Sequence, residues 1–384
     1  MKIVGIVSEY NPFHNGHMYQ IKKAKELSGA GFCIAVMSGS FVQRGEPAIC
    51  DKWARAEMAL RCGVDLVVEL PVIYSAQSAE FFATGAVRIL DKMGADFISF
   101  GAENDDIEAL SAAARLFARE PEEFKKHLGL NLKKGISFPK ARENAAHVLG
   151  IKDIISSPNN ILGIEYIKAL QRLGSKMKPV PVKRVGSQHD GVGSASYLRS
   201  IMPISAKEYM PRPAFKIYQR ELKNKKAPVT IAPLEIAIVS RLRIMPASEL
   251  SLISGVSEGL ENRIKQAVSG FSSLDDIICR IKTKRYVLSR IRRIMINALL
   301  NITHEDVIKK PEYIRILGMN ANGQRILKNL KSTADIPIIV KTADAIKTDM
   351  LLKDFAATDI YSLLYPDKAK RCANLDLTTS PVII

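Results

Sequence analysis

Cysteine, histidine and tryptophan are all scarce in this chain of 384 residues, and each scarcity narrows what it can do. The five cysteines, Cys33, Cys50, Cys62, Cys279 and Cys372, are odd in number, widely spaced and without a C-x-x-C pair. That pattern argues against a disulfide framework and a zinc site, and fits a reducing cytoplasm. No apolar run approaches the roughly 18 residues of a membrane span, and Ser8 and Glu9 interrupt the opening run too soon for a signal-peptide core. A cytoplasmic chain that meets no membrane and needs no obligate protein partner is therefore expected. Acid is also in short supply: 39 Asp and Glu stand against 56 Lys and Arg, a formal charge of +17. Such a field attracts polyanions, so nucleic acid is the first partner to consider. A lysine-rich housekeeping enzyme fits the same charge.

What is present is a regular pattern. The length calls for two or three domains, and a 47% hydrophobic fraction can fill their cores. Short runs rich in Val and Ile alternate with helical patterns through the first half, the mark of a parallel sheet covered by helices. "KIVGIV", "FCIAVMSG", "DLVVELP" and "ADFISFG" predict four strands, and "KPVPVKR" a fifth after a helical stretch over 105–173. The expected fold class is α/β, with a Rossmann-like parallel-sheet domain over 1–203. The proline-bearing "PISAKEYMPRP" marks a boundary. A mainly helical, basic region over 204–305 and a small α/β region over 306–384 follow. In the latter, "YIRILGMNANGQRILKNLK" reads as helical around a turn.

Two of only six histidines bracket an Asn-Gly pair in "NPFHNGH", Asn11 to His17, directly after the first strand. Asn11 and Pro12 make a turn, and Asn15 and Gly16 open a helix, which puts His14 and His17 on one face of its first turn. A helix start exposes backbone N–H groups and the positive end of the dipole, a ready anion site. Gly16 is expected to remove a Cβ that would obstruct a phosphate. Two imidazoles placed there can donate hydrogen bonds to the non-bridging oxygens of a triphosphate. As metal ligands they make a poor set, with no Cys or acid in the helix, so no metal site is expected from the protein.

"FHNGH" resembles the H-x-G-H signature of the nucleotidyltransferase superfamily. The wider frame "GIVSEYNPFHNGH", with "VMSGSFVQRGEPAICDKWARAEMAL", "GVDLVVELP", "FGAEN" and "PNNILGIEYIKAL", is similar to the bacterial tRNA(Met) cytidine acetate ligases. The resemblance is strong over residues 1 to 200 and diffuse beyond. It implies that ATP, with Mg2+, and acetate form acetyl-adenylate, and that the acetyl group passes to N4 of the wobble cytidine of elongator tRNA(Met). It implies an ATP-binding nucleotidyltransferase domain over 1–203, with His14 and His17 as catalytic residues. The ATP loop would run through Val7, Ser8, Glu9, Tyr10, Asn11, Pro12, Phe13, His14, Asn15, Gly16, His17, Met18, Tyr19 and Gln20. Gly101, either Asn159 or Asn160, and Arg184 would complete the nucleotide site. The superfamily's second signature appears as "SASYLR", in which Ser194, Ser196 and Arg199 would meet phosphate; Ala195 departs from the commonest form.

Acetate is already ionised at neutral pH, so the first step needs positioning and charge neutralisation rather than a general base. Ser38, Gln43 and Arg44 lie in a loop after the second strand that suits substrate contact or a purely structural turn. Trp53 suits a base stack or a core anchor, and Lys22, Lys23 and Lys25 read chiefly as a solvated helix face. "RIKTKRYVLSRIRR" holds seven basic residues and no acid in fourteen. Its Arg280, Lys282, Lys284, Arg285, Arg290, Arg292 and Arg293 are candidates for tRNA phosphates. A nucleotidyltransferase acting on a small phosphorylated metabolite is the alternative, and it leaves the basic half without a role.

Overall fold

The computed structural model describes residues 1–151, 154–184, 195–201, 206–271, 273–330 and 334–384. Its strands are β1 (Ile3–Ser8), β2 (Phe32–Ser38), β3 (Phe41–Val42), β4 (Glu46–Pro47), β5 (Leu66–Leu70), β6 (Phe97–Ala102), β7 (Lys178–Lys183), β8 (Ile314–Met319), β9 (Ile338–Ile339) and β10 (Val382–Ile383). β1 is almost wholly apolar because it is flanked on both edges and covered on both faces. It runs parallel to β2, from Ile3 opposite Phe32 to Ser8 opposite Met37, and to β6 on its other side. The sheet order is β10-β8-β5-β2-β1-β6-β7, with β9 beside β8 and with β3 and β4 forming a separate hairpin.

Successive side chains of β1 enter different cores, as the period of two demands. Ile3 and Val7 join the cluster that holds Leu90, Phe100 and Ile164, while Val4 and Ile6 join the one that holds Ile21, Ala24 and Ala54. Helices Ala79–Lys92 and Pro158–Leu173 thus cover one face, and helices Asn15–Ser28 and Lys52–Arg61 the other. The strand order turns back at β1, so its carboxyl end and that of β6 flank the crevice where such sheets bind ligands.

The last part of the chain departs from the sequence reading in one element. "YIRILGM" is a strand, β8, and only Ala321–Leu330 is helical. All six residues of β8 are buried, and β8 lies antiparallel to β5, with Leu66 opposite Met319. Asn320 ends the strand and accepts the Gly323 N–H through Oδ1 at 2.9 Å, which starts the helix. The sheet therefore runs across the boundary expected near 306. A buried ion network closes that junction. Lys52 Nζ lies 2.8 Å from Glu69 and 2.7 Å from Asp376, and Arg315 reaches Glu69 at 2.9 Å and Asp376 at 2.7 Å. Two cations and two anions, all nearly solvent-free, balance one another; removing any one would strand a buried charge.

Between these parts, helix Arg212–Lys223 packs on the sheet face beside Lys52–Arg61 through Ile217 and Tyr218. Helices Glu235–Ile244, Leu260–Gly270, Leu274–Ile281 and Leu288–Leu299 form a further layer. Among the described residues no helix is long and apolar enough to cross a membrane.

Candidate functional site

His14 is the N-cap of helix Asn15–Ser28, with extended φ and ψ of −135° and 173°. Its Nδ1 accepts the Gly16 N–H at 3.1 Å, and His17 Nδ1 accepts the His14 N–H at 3.2 Å. A backbone N–H can only donate, so both Nδ1 atoms are unprotonated and each neutral ring carries its proton on Nε2. The rings stack with centroids 3.7 Å apart. Burial, helped by the charge of Arg184, lowers the His14 pKa to about 4. Burial, then His14 and Arg184, takes His17 well below its ordinary value. The pair is thus two neutral Nε2–H donors at a helix start, suited to binding an anion and unsuited to proton transfer near pH 7.

Packing holds this corner rigid. Tyr10 and Phe13 are buried, with the Tyr10 ring 5.0 Å and the Phe13 ring 5.4 Å from His17. Asn11 Oδ1 accepts the Ile49 N–H at 2.8 Å, and the Asn11 carbonyl accepts from Arg199 Nη1 at 2.8 Å. Arg55, fully buried, donates to the carbonyls of Glu9 at 2.7 Å, Ser38 at 2.9 Å and Cys50 at 3.0 Å, and also to Gly39. One guanidinium therefore fixes the loops that leave β1 and β2. Nothing in sequence spacing points to Arg55, because all its partners are backbone atoms.

A cavity of about 210 Å³ opens at the carboxyl ends of β1 and β6. Val7, Ser8, Glu9, Tyr10, Asn11, His14, His17, Gln20, Gly101, Asn159, Arg184, Ser196 and Arg199 line it, from five separate stretches of chain. Gln43 and Arg44 join them, and Arg44 Nη1 donates to Ser196 Oγ at 3.0 Å. Burial raises the Glu9 carboxyl pKa, against the Gln43 N–H and the charges of Arg199, Arg44 and Arg55. Among the described residues no cluster of three His, Cys, Asp or Glu side chains could hold a metal.

The model for the HIGH nucleotidyl transferase family matches residues 1–376. A tRNA(Met) cytidine acetate ligase of Acetivibrio thermocellus is 40% identical with all of both chains covered, and one from a Thermoanaerobacter is 42% identical with 98% of each covered. The chain belongs to the tRNA(Met) cytidine acetate ligase family. The crystal structure of Thermotoga maritima TmcAL bound with alpha-thio ATP shares its fold at a TM-score of 0.92, with 36% identity over the whole of both chains.

Other residues expected of a tRNA(Met) cytidine acetate ligase site lie off the cavity. Pro12 and Phe13 are buried beneath the loop, Met18 and Tyr19 face solvent, and Asn15 donates through Nδ2 to the Glu208 carbonyl at 3.0 Å. Of the two asparagines, Asn159 lines the cavity. Asn160 is buried and accepts the Glu103 N–H at 2.9 Å and the Asn104 N–H at 3.3 Å, pinning the loop after β6. At Gly16 a Cβ would sit 2.9 Å from His14 Cε1, so the glycine makes room for the imidazole. Trp53 is buried and off the cavity, a core anchor; Ser38 is also buried and off the cavity, with its carbonyl held by Arg55. Lys25 pairs with Asp65 at 2.9 Å and Lys23 with Glu26. Ser194 lies outside the described residues.

The basic stretch divides. Arg280, Lys282, Lys284 and Arg285 are exposed, Arg285 against Glu258 at 2.9 Å. Arg290 donates to the Gly255 carbonyl at 2.9 Å and Ser257 Oγ at 2.6 Å, Arg292 binds Glu46, and Arg293 reaches the Gln43 carbonyl at 3.4 Å. Gly45 explains how close this helix comes. At φ +74°, its missing Cβ would lie 2.4 Å from the Arg293 nitrogen. Backbone meets backbone there, between the loop after β2 and helix Leu288–Leu299.

Proposed function

We propose that this chain is an ATP-dependent ligase that acetylates N4 of the wobble cytidine of elongator tRNA(Met) in the cytoplasm. The observation that carries the reading is the neutral imidazole pair, locked by backbone hydrogen bonds at a helix start on the cavity. ATP would lie with its phosphates on His14 and His17. The adenosine would pass the glycine edge at Gly101, where even a Cβ would approach nothing nearer than 3.6 Å. An acetate oxygen attacks the α-phosphorus, the bond to the β-phosphate oxygen breaks, and pyrophosphate leaves. The Nε2–H donors meet the charge that builds on the α-phosphate, and Arg199 and Arg184 add positive charge on the cavity wall. No proton moves in this step, which matches imidazoles that stay neutral. In the second step the cytidine amine attacks the acetyl carbonyl carbon, AMP departs, and the surplus amine proton passes to water.

The test is incubation with ATP, labelled pyrophosphate and acetate, with and without tRNA. Acetate-dependent exchange into ATP, and label from acetate recovered as N4-acetylcytidine, are the expected outcomes. Exchange that ignores acetate and requires a phosphorylated metabolite would replace this function with a simple nucleotidyltransferase.

A further inference from the structure

A second cavity, of about 630 Å³, adjoins the first and shares Gln43, Arg44, Asn159 and Leu162 with it. Its walls come from the start of helix Pro158–Leu173, the start of helix Phe138–Val148, Ser78 to Glu80, and the basic helix Leu288–Leu299. We infer that this cavity is the acceptor subsite, which takes a pyrimidine base unstacked from an RNA strand and presents its amine to the acyl-adenylate. The inference rests on the proposed function and adds where its second substrate enters.

Three features favour a base over another occupant. The volume lies within the roughly 300–1,000 Å³ of sites for small organic ligands. The lining is largely apolar, and Phe138 stands at 49% exposure beside Pro139, a face on which a base can stack. Positive charge lies at its approach: on the wall Arg142 is paired with Glu165 and Arg292 with Glu46, beside Glu80 and Glu143, whereas the exposed Arg280, Lys282 and Lys284 belong to the segment leading into the same helix. A strand whose phosphates follow those cations can deliver one base inward.

The junction supplies the chemistry. Asn159 Nδ2 donates to Glu103, which settles the amide orientation and turns Oδ1 into the free acceptor. Among the described residues nothing donates to that oxygen. It can accept one N–H of a cytosine amine, whereas the carbonyl oxygen of uracil would meet it as a second acceptor. The amine lone pair forms the C–N bond, the acyl C–O bond to the adenylate phosphate breaks with its electron pair on AMP, and the amine's second proton goes to water.

The test uses the full chain and two variants away from the nucleotide cavity, Phe138→Ala and Ser289→Trp. Phe138→Ala is expected to raise the KM for tRNA about tenfold, the scale of one lost base stack. Ser289→Trp is expected to fill the cavity and abolish acetyl transfer. Both should keep wild-type acetate-dependent pyrophosphate exchange and melting temperature. Wild-type transfer by both variants would overturn the inference, and so would exchange lost along with transfer. Failure of the proposed function would instead appear in the wild-type protein, as absent acetate-dependent exchange.

Discussion

The corner from Asn11 to His17 and the basic run from Arg280 to Arg293 are the two most conspicuous stretches of the sequence, and the fold treats them in opposite ways. In the corner, each imidazole is fixed by a backbone N–H two or three residues away, so the motif carries its own geometry. In the basic run, seven like charges look uniform, yet structure gives them two jobs. Arg280, Lys282 and Lys284 face water, while Arg290, Arg292 and Arg293 turn back onto Gly255, Glu46 and Gln43. Local spacing specifies a motif built on one helix turn. Charge density specifies only that anions are attracted, because side-chain destinations depend on residues some 250 positions away.

The largest expected effect lies in the corner. His14→Ala or His17→Ala should slow acetate-dependent exchange by roughly 10²–10³-fold, the usual cost of one transition-state donor, with the Kd for tRNA unchanged. Loss of tRNA binding in step with exchange would break the separation of the two regions. The basic run should split in its turn. Arg280→Ala, Lys282→Ala and Lys284→Ala together should weaken tRNA binding and flatten its log–log salt dependence by roughly 0.7–0.9 per contact removed, with an unchanged melting temperature. Arg292→Ala strips the partner from Glu46, which is partly exposed, and should lower stability by up to about 1 kcal/mol in denaturant titration. Equal behaviour of the two sets would erase the distinction. Gly16→Ala is the subtlest, since the added Cβ need only displace the His14 ring slightly. Exchange should fall about tenfold, with ATP still bound, as expected for a small misplacement of a catalytic group.

Much of this was legible before any coordinates. The parallel sheet and the histidine pair follow from apolar runs and spacings within twenty residues, and the family from the resemblance of sequence blocks spread over residues 1 to 200. β8 was not legible: Ile314, Leu317 and their neighbours suit a helix, and only the distant edge of β5 makes them a strand. Arg55 escaped because it binds carbonyls, which every residue has. Asn159 and Asn160 are adjacent, and only their rotation about the helix axis sends one to the cavity and the other beneath the loop after β6. The sequence suggests that Gly16 clears the way for a phosphate, and it does not show that the residue also makes room for the His14 ring.

The central claim is that His14 and His17 act as neutral donors. Their pKa values lie below the ordinary histidine value, so the stability that the neutral rings contribute is present above about pH 6.5. It is lost as pH falls toward about 4. The direct measurement is the NMR spectrum of the full chain with ¹⁵N-labelled histidine, assigned through His14→Asn and His17→Asn and followed from pH 8 to pH 5. The account predicts that both rings stay neutral and protonated on Nε2 throughout. A ring that titrates near pH 6.5, or one protonated on Nδ1, would contradict it.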